Sequence, residues 1–220
     1  MSTEFNFAMK DIKLIIFDLD GTLVDAYSAI GRSFNYVMRK LGLKTQNLSL
    51  IRSLVGRGDV DLLAPYVVKR NLKPTLNLYR HHHKTSLLKY AHLYPHARGL
   101  LGTLKTKGYK LAVASNRPSK FSRILLKHLK IGDFFDYVLC ADQAKHAKPH
   151  PEMLNNIVKR FGIKKSQAVY VGDMVIDAQA GRRARINTII VTSGSSSKLD
   201  IKREHPFRII SAISRLQALL

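Results

Sequence analysis

The chain is poor in cysteine, in acidic residues and in long apolar runs. Its 220 residues include one cysteine, Cys140, which excludes an intramolecular disulfide and any cysteine-rich zinc site. Cys140 closes the apolar run YVLC, so it is expected to be a buried thiol at a strand end. No stretch approaches the roughly 18 consecutive apolar residues of a membrane-spanning helix. The opening MSTEFNFAMKDIK lacks the basic start and apolar core of a secretory leader. The expectation is a soluble, cytoplasmic protein with no membrane partner. Only 15 Asp and Glu face 37 Lys and Arg, a net charge of +22. A field of that sign speeds the approach of phosphorylated metabolites and also holds nucleic acid weakly, in a salt-dependent way. The cations run from Lys10 to Arg215 without a block of five or six like charges, so the charge reads as a solvated basic surface rather than a dedicated nucleic-acid site.

What is present is enough apolar material, 45% of the residues, for one well-buried domain with a smaller one packed on it. Leu14 to Phe17 read as a buried strand ended by the acidic, glycine-containing turn DLDGT. From Asp25 to about Leu93 strand signals nearly vanish, and apolar residues recur at helical spacing, as in Ile30, Phe34, Val37, Met38 and Leu41. Gly42 suits a helix stop, and Asp59 a cap for a helix opening after the loop VGRG. After Pro95 the texture alternates. Helices are expected over 100–107, 120–129, 151–161 and 178–184, between the strands YKLAVAS, FDYVLCA, AVYVGD and NTIIVT. Continuous apolar strands separated by helices imply a parallel sheet covered on both faces. The expected fold class is therefore α/β, a doubly wound parallel sheet, with residues 1–24 and 94–220 forming the core and residues 25–93 a small inserted α-helical cap domain. SGSSSK, residues 193–198, reads as a surface loop, and IISAISRLQALL as a closing helix with Ser211 as its cap.

In doubly wound sheets, ligands sit beyond the C-terminal ends of the strands, and four separate segments send polar groups there. Asp18 and Asp20 alternate past the first strand, so both carboxylates leave it in the same direction. Ser115 and Asn116 follow LAVA and offer donors to an anion. Lys148, in AKPHPE, supplies a cation. Gly172 and Asp173 follow AVYV, with Asp177 four residues on. Four converging carboxylates need cations, and an all-oxygen donor set points to Mg²⁺ rather than zinc or a redox metal. A carboxylate neutralised in this way can attack phosphorus, with a second acid beside it serving the leaving oxygen.

FDLDGTLVD, VASNRP, AKPHPE and VGDMVIDAQAG, in that order and at these spacings, resemble the four motifs of haloacid dehalogenase superfamily phosphatases over about Lys13 to Thr192. The resemblance implies that Asp18 is the nucleophile and Asp20 the general acid and base. It implies that Ser115 and Lys148 hold the phosphoryl group, and that Mg²⁺ binds Asp18, Asp173 and the backbone carbonyl of Asp20. Asp177 would give outer support, and Gly21, Thr22 and Asn116 would face the substrate. An acid at Asp20 disfavours dehalogenation, which needs no protonated leaving group.

The insertion directly after the first motif is similar to the caps of phosphoglycolate phosphatases, β-phosphoglucomutases and phosphonatases, and the segment IRSLVGRGDVDLL looks most like the first of these. Arg57, in that segment, is either a partner for a substrate carboxylate or a surface arginine. The expected substrate is a small phosphorylated metabolite, turned over by a monomer or homodimer. Inorganic pyrophosphatase, phosphomutase and a non-catalytic anion-binding protein stand as alternatives. His81, His82 and His83 are consecutive on a predicted helix and so point apart rather than forming a metal cluster. Tyr79, Tyr90 and Tyr94 are expected to pack between cap and core.

Overall fold

The computed structural model describes residues 11–220; most of the opening segment MSTEFNFAMKDIK, read as lacking the features of a secretory leader, and Lys10 lie outside them. The strands in chain order are β1 (Leu14–Phe17), β2 (Val24–Asp25), β3 (His92–Leu93), β4 (Lys110–Ser115), β5 (Tyr137–Cys140), β6 (Ala168–Gly172), β7 (Asn187–Val191) and β8 (Arg208–Ile210). Six of them form one parallel sheet in the order β5-β4-β1-β6-β7-β8. The chain moves outward from β1 through β4 to β5, then jumps back across β1 to β6. That reversal opens a crevice beyond the end of β1. Phe17 pairs with both Val113 and Val171, so Asp18, Ser115 and Asp173 leave the sheet side by side.

The strand LIIF is fully buried and alternates between two cores. Ile15 and Phe17 join Val113 and Val171 under α5 (Ala97–Thr106) and α6 (Ser119–His128); Leu14 and Ile16 join Ala112 and Tyr170 under α7 (Glu152–Phe161) and α8 (Val175–Ala184). The sheet is therefore doubly wound, as the continuous apolar strands implied. The first core runs on without a break into the helical insertion, where Phe34, Val37 and Met38 of α1 (Tyr27–Lys40) pack with Leu76, Tyr79 and Leu87 of α4 (Lys69–Tyr90). Between these lie α2 (Leu48–Leu54) and α3 (Asp59–Leu63). The insertion leaves and re-enters the core through β2 and β3, which pair antiparallel.

Three expectations change. Asp59 does not cap α3: Gly58 occupies that position, and the Asp59 carboxylate is held by Arg80 through two bonds, of 2.7 and 3.1 Å. The closing segment is not an α-helix begun by Ser211. Ile209 and Ile210 add β8 to the sheet beside β7, as suits β-branched residues at an edge. A 3₁₀ turn over Ile213–Leu219 follows, with Ala212 at its start. Its buried residues Ile213 and Leu216 are three apart, which matches the three-residue period of that helix. Finally, the serine-rich loop is not simply a surface loop. Ser193 Oγ donates to the Gly21 carbonyl (2.6 Å), Ser196 Oγ accepts from the Val175 N–H (3.1 Å), and Ser197 caps α9 (Lys198–Arg203).

Candidate active site

Asp18 continues the line of β1, its N–H donating to Val171 (2.9 Å). The chain then turns sharply, with Gly21 at φ +88° and its N–H on the Val24 carbonyl (2.8 Å). A side chain at Gly21 would collide with Asp173, its Cβ falling 2.1 Å from Oδ2, and one at Gly194 would come to 1.9 Å of the same oxygen. Two glycines thus let a turn and a loop close around one buried carboxylate. Thr22, expected to face the substrate, donates its hydroxyl to Asp173 Oδ1 instead (2.9 Å).

Lys148 is the cation at the centre of this crevice. Its buried ammonium lies 2.8 Å from Asp18 Oδ1, 2.8 Å from Asp177 Oδ1 and 2.8 Å from the Tyr170 hydroxyl, which accounts for all three of its N–H groups. Tyr170 donates to Asp177 Oδ1 (2.5 Å), and Asp177 Oδ2 accepts from the N–H groups of Asp173 (3.2 Å) and Met174 (3.0 Å). Asp177 thereby ties β6 to the start of α8 and supports the cation. Burial pulls the Lys148 pKa down, but the charges of Asp177 and Asp18 outweigh it and the net shift is upward. For Asp18, burial outweighs the pull of Lys148 and raises the carboxyl to about 7. Burial, with the charges of Asp177 and Asp18, also lifts Asp173 well above the carboxylate range. The site is over-supplied with negative charge and under-supplied with solvent.

The second half of the site was only partly visible in the sequence. Arg117, two residues past Ser115, grips Asp20 through a two-bond fork, Nε to Oδ2 (2.8 Å) and Nη2 to Oδ1 (2.7 Å). Its Nη1 lies 2.9 Å from Nε2 of His83, on α4 of the insertion. His83 stacks on Tyr79 (4.9 Å between rings) and meets Phe121 edge-on. Arg117, His83 and Tyr170 were missed as site residues. The one sequence signal for Tyr170 was a hydroxyl in the middle of an otherwise apolar strand, and for Arg117 its place inside VASNRP.

Ser115 is buried beside Asp18, and its Oγ accepts from the Arg117 N–H (3.3 Å). Asn116 uses its amide on the backbone, donating to the carbonyls of Gly56 and Lys148 and accepting from the Lys148 N–H, each at 2.9 Å. It pins the insertion to the Lys148 loop. Arg57 is exposed and is not among the residues lining the pocket, although its neighbours Gly56 and Gly58 are. The pocket holds about 60 Å³. Its floor is Asp18, Asp20 and Ser115; its roof includes Ile30, Leu62 and Tyr79 from the insertion.

The model of haloacid dehalogenase-like hydrolases matches residues 15–191, which contain Asp18, Asp20, Ser115, Arg117, Lys148, Asp173 and Asp177. The chain belongs to that family. Curated relatives include phosphoglycolate phosphatases of Nitrosococcus oceani (30% identical, covering 96% of this chain and 98% of the relative) and Aliivibrio fischeri (31%, covering 96% and 97%). Among solved structures, that of a predicted phosphoglycolate phosphatase from Haemophilus somnus superposes with a TM-score of 0.90 at 25% identity, covering 95% of this chain and 98% of the other. This haloacid dehalogenase-like hydrolase is an enzyme, a phosphoric monoester hydrolase, and carries its helical insertion where the first motif ends. No described helix is long and apolar enough to cross a membrane.

Proposed function

We propose that the protein is a Mg²⁺-dependent phosphatase of short phosphorylated carboxylic acids, phosphoglycolate-like, that works through an aspartyl-phosphate on Asp18. The observation that carries this reading is the placement of Asp18. It stands at the end of the central strand, one oxygen fixed 2.8 Å from Lys148, with Asp20 and Ser115 beside it on the floor of a small pocket and a carboxylate oxygen of Asp173 within 4.8 Å. The relatives' names agree with it.

The residues present fit a magnesium ion. Carboxylate oxygens of Asp18, Asp173 and Asp177 lie within 4.8 Å of one another, an all-oxygen set suited to a hard cation. Asp177 is committed to Lys148, Tyr170 and two backbone N–H groups, so Asp18 and Asp173 are the side chains left to hold it, with the Asp20 carbonyl as third protein ligand. Burial, with the mutual charge of the neighbouring acids, raises Asp18 and Asp173, and a bound cation would favour their ionised forms. When bound, the ion supplies the charge that neutralises the phosphoryl oxygens.

In this mechanism a carboxylate oxygen of Asp18 forms a bond to phosphorus as the ester P–O bond breaks. Asp20 gives its proton to the departing oxygen. Water then attacks the same phosphorus, Asp20 takes one of its protons, and the Asp18–phosphorus bond breaks to release inorganic phosphate. Lys148 holds Asp18 in line throughout, and the insertion excludes bulk water. Asp18→Asn removes the nucleophile and is expected to lower 2-phosphoglycolate turnover by at least about 10⁴-fold. Activity in EDTA equal to that in Mg²⁺, or an active Asp18→Asn enzyme, would overturn the proposal.

A further inference from the structure

Among the described residues that line the pocket, Arg117 is the one lysine or arginine, and its present partner is the group that has to move. Each oxygen of Asp20 accepts an N–H of the Arg117 fork. Once Asp20 carries a proton for a leaving oxygen it no longer neutralises the guanidinium, and reaching that oxygen draws it away from the fork. Arg117 is 7% exposed, and a buried guanidinium stripped of its counter-ion is strongly unfavourable. Departure of Asp20 therefore requires a replacement anion. A planar carboxylate fits the same fork in the same two-bond geometry.

The fork itself is held from the insertion. Ser33 Oγ lies 2.9 Å from the Ala29 carbonyl, which can only accept, so its single hydrogen points there. The Nδ1 of His83, 3.1 Å from the same Oγ, must then carry a hydrogen. That leaves the lone pair of Nε2 facing Arg117 Nη1. Burial and the neighbouring guanidinium keep His83 uncharged. Arg117 thus keeps one fixed acceptor whichever anion occupies its fork. On the opposite wall, among the described residues, Arg80 is paired with Asp59, and Arg57 is exposed and outside the pocket lining.

We propose that Arg117 reads the substrate's second anionic group, exchanging Asp20 for a substrate carboxylate, so that Asp20 is free to serve the leaving oxygen only when a phosphorylated carboxylic acid is bound. This rests on the phosphatase reading above and assigns to Arg117 the selectivity that the sequence suggested for Arg57. An alkyl phosphate without a second anionic group binds the same phosphoryl site but leaves Asp20 in the fork. The cavity of about 60 Å³ limits the acid to a short one.

The test compares kcat/KM for 2-phosphoglycolate and for ethyl phosphate, which lacks the carboxylate, with Mg²⁺, in wild type, Arg117→Met, Arg117→Lys and Arg57→Ala. The expected result is that Arg117→Met lowers the ratio of the two values by about a hundredfold, the scale for truncating one partner of a buried charge pair. Arg117→Lys, which keeps the charge but loses the fork, should lower it by roughly tenfold. Isothermal titration of Asp18→Asn protein should show the same preference without turnover, and the added Arg117→Lys change should erase it. A ratio unmoved while both rates fall would make Arg117 structural and overturn the proposal, as would a collapse caused by Arg57→Ala. Should Arg117→Met fail to fold, Arg117→Lys decides by the same criterion. Wild-type protein that hydrolyses neither ester would overturn the phosphatase reading itself, whereas hydrolysis of both with an Arg117-independent ratio would overturn only the exchange.

Discussion

The two sides of the pocket are built differently. Around Lys148 every side-chain partner belongs to the sheet and the helix packed on it: Asp18 just past β1, Tyr170 on β6, Asp177 in the first turn of α8. Around Arg117 the partners come from both layers, Asp20 from the sheet and His83 from the insertion. The phosphoryl side is complete without the insertion, and the leaving-group side is complete only with it. Steps shared by all phosphate esters can thus stay fixed while the choice of ester changes above them.

Asp20→Asn is the strongest probe of that division after loss of the nucleophile. It should cost about 10²–10⁴-fold in kcat for 2-phosphoglycolate, the range for general acid–base catalysis. An aryl phosphate with a good leaving group should suffer less in its first turnover, seen as a burst of released phenol. Equal losses on both substrates would place the fault in binding rather than proton transfer. Lys148→Met addresses the other side. It strands Asp18 and Asp177 in the interior without a cation, and about 3–5 kcal/mol of stability should be lost in denaturant unfolding at pH 8. The loss should shrink at pH 5, where the acids are more readily protonated; a pH-independent loss would point to packing alone.

The smallest effect concerns the same carboxylates in the intact protein. Between the ordinary 3.8 and about 7, folded Asp18 holds a proton that the unfolded chain has released. The stability carried by that proton is present at the acid end and is lost as the pH rises through about 7. A divalent cation needs the ionised form, so Mg²⁺ should raise Tm at pH 8, by about 5 °C at saturation, and hardly at all at pH 5. Equal shifts at the two pH values would place the ion elsewhere.

The phosphoryl side was largely legible in the sequence because its residues follow buried strands directly, and strand register fixes where Asp18, Ser115 and Asp173 emerge. The four-residue repeat from Asp173 to Asp177 likewise located the support at the start of α8. On the leaving-group side Asp20 was legible from the first motif, but its partners were not, for reasons of distance and direction. Asp20 and Arg117 are 97 positions apart, and Arg117 and His83 are 34 apart on different layers; no local pattern links them. Arg57 sits between Gly56 at φ +121° and Gly58 at φ +95°, and those left-handed glycines set the path of the loop, which apolar spacing does not report. The closing segment was misread because Ile209 and Ile210 suit a helix face and an edge strand equally well, and only the partner strand decides.

The short pair of β2 and β3 has a consequence for ancestry and engineering. Because Val24 lies against Leu93, the chain returns from about 70 residues of insertion to the point where it left. The gap to be bridged is one strand spacing, roughly 5 Å, whatever lies between, and lengthening what lies between adds little to the entropy of closure. The ribbon acts as a socket. A different helical bundle, grafted between residues 25 and 92, would meet the same two anchors but would also have to refill the core that the insertion shares with the sheet, so chimaeras that keep the ribbon and that apolar face offer a direct way to give this hydrolase a new substrate.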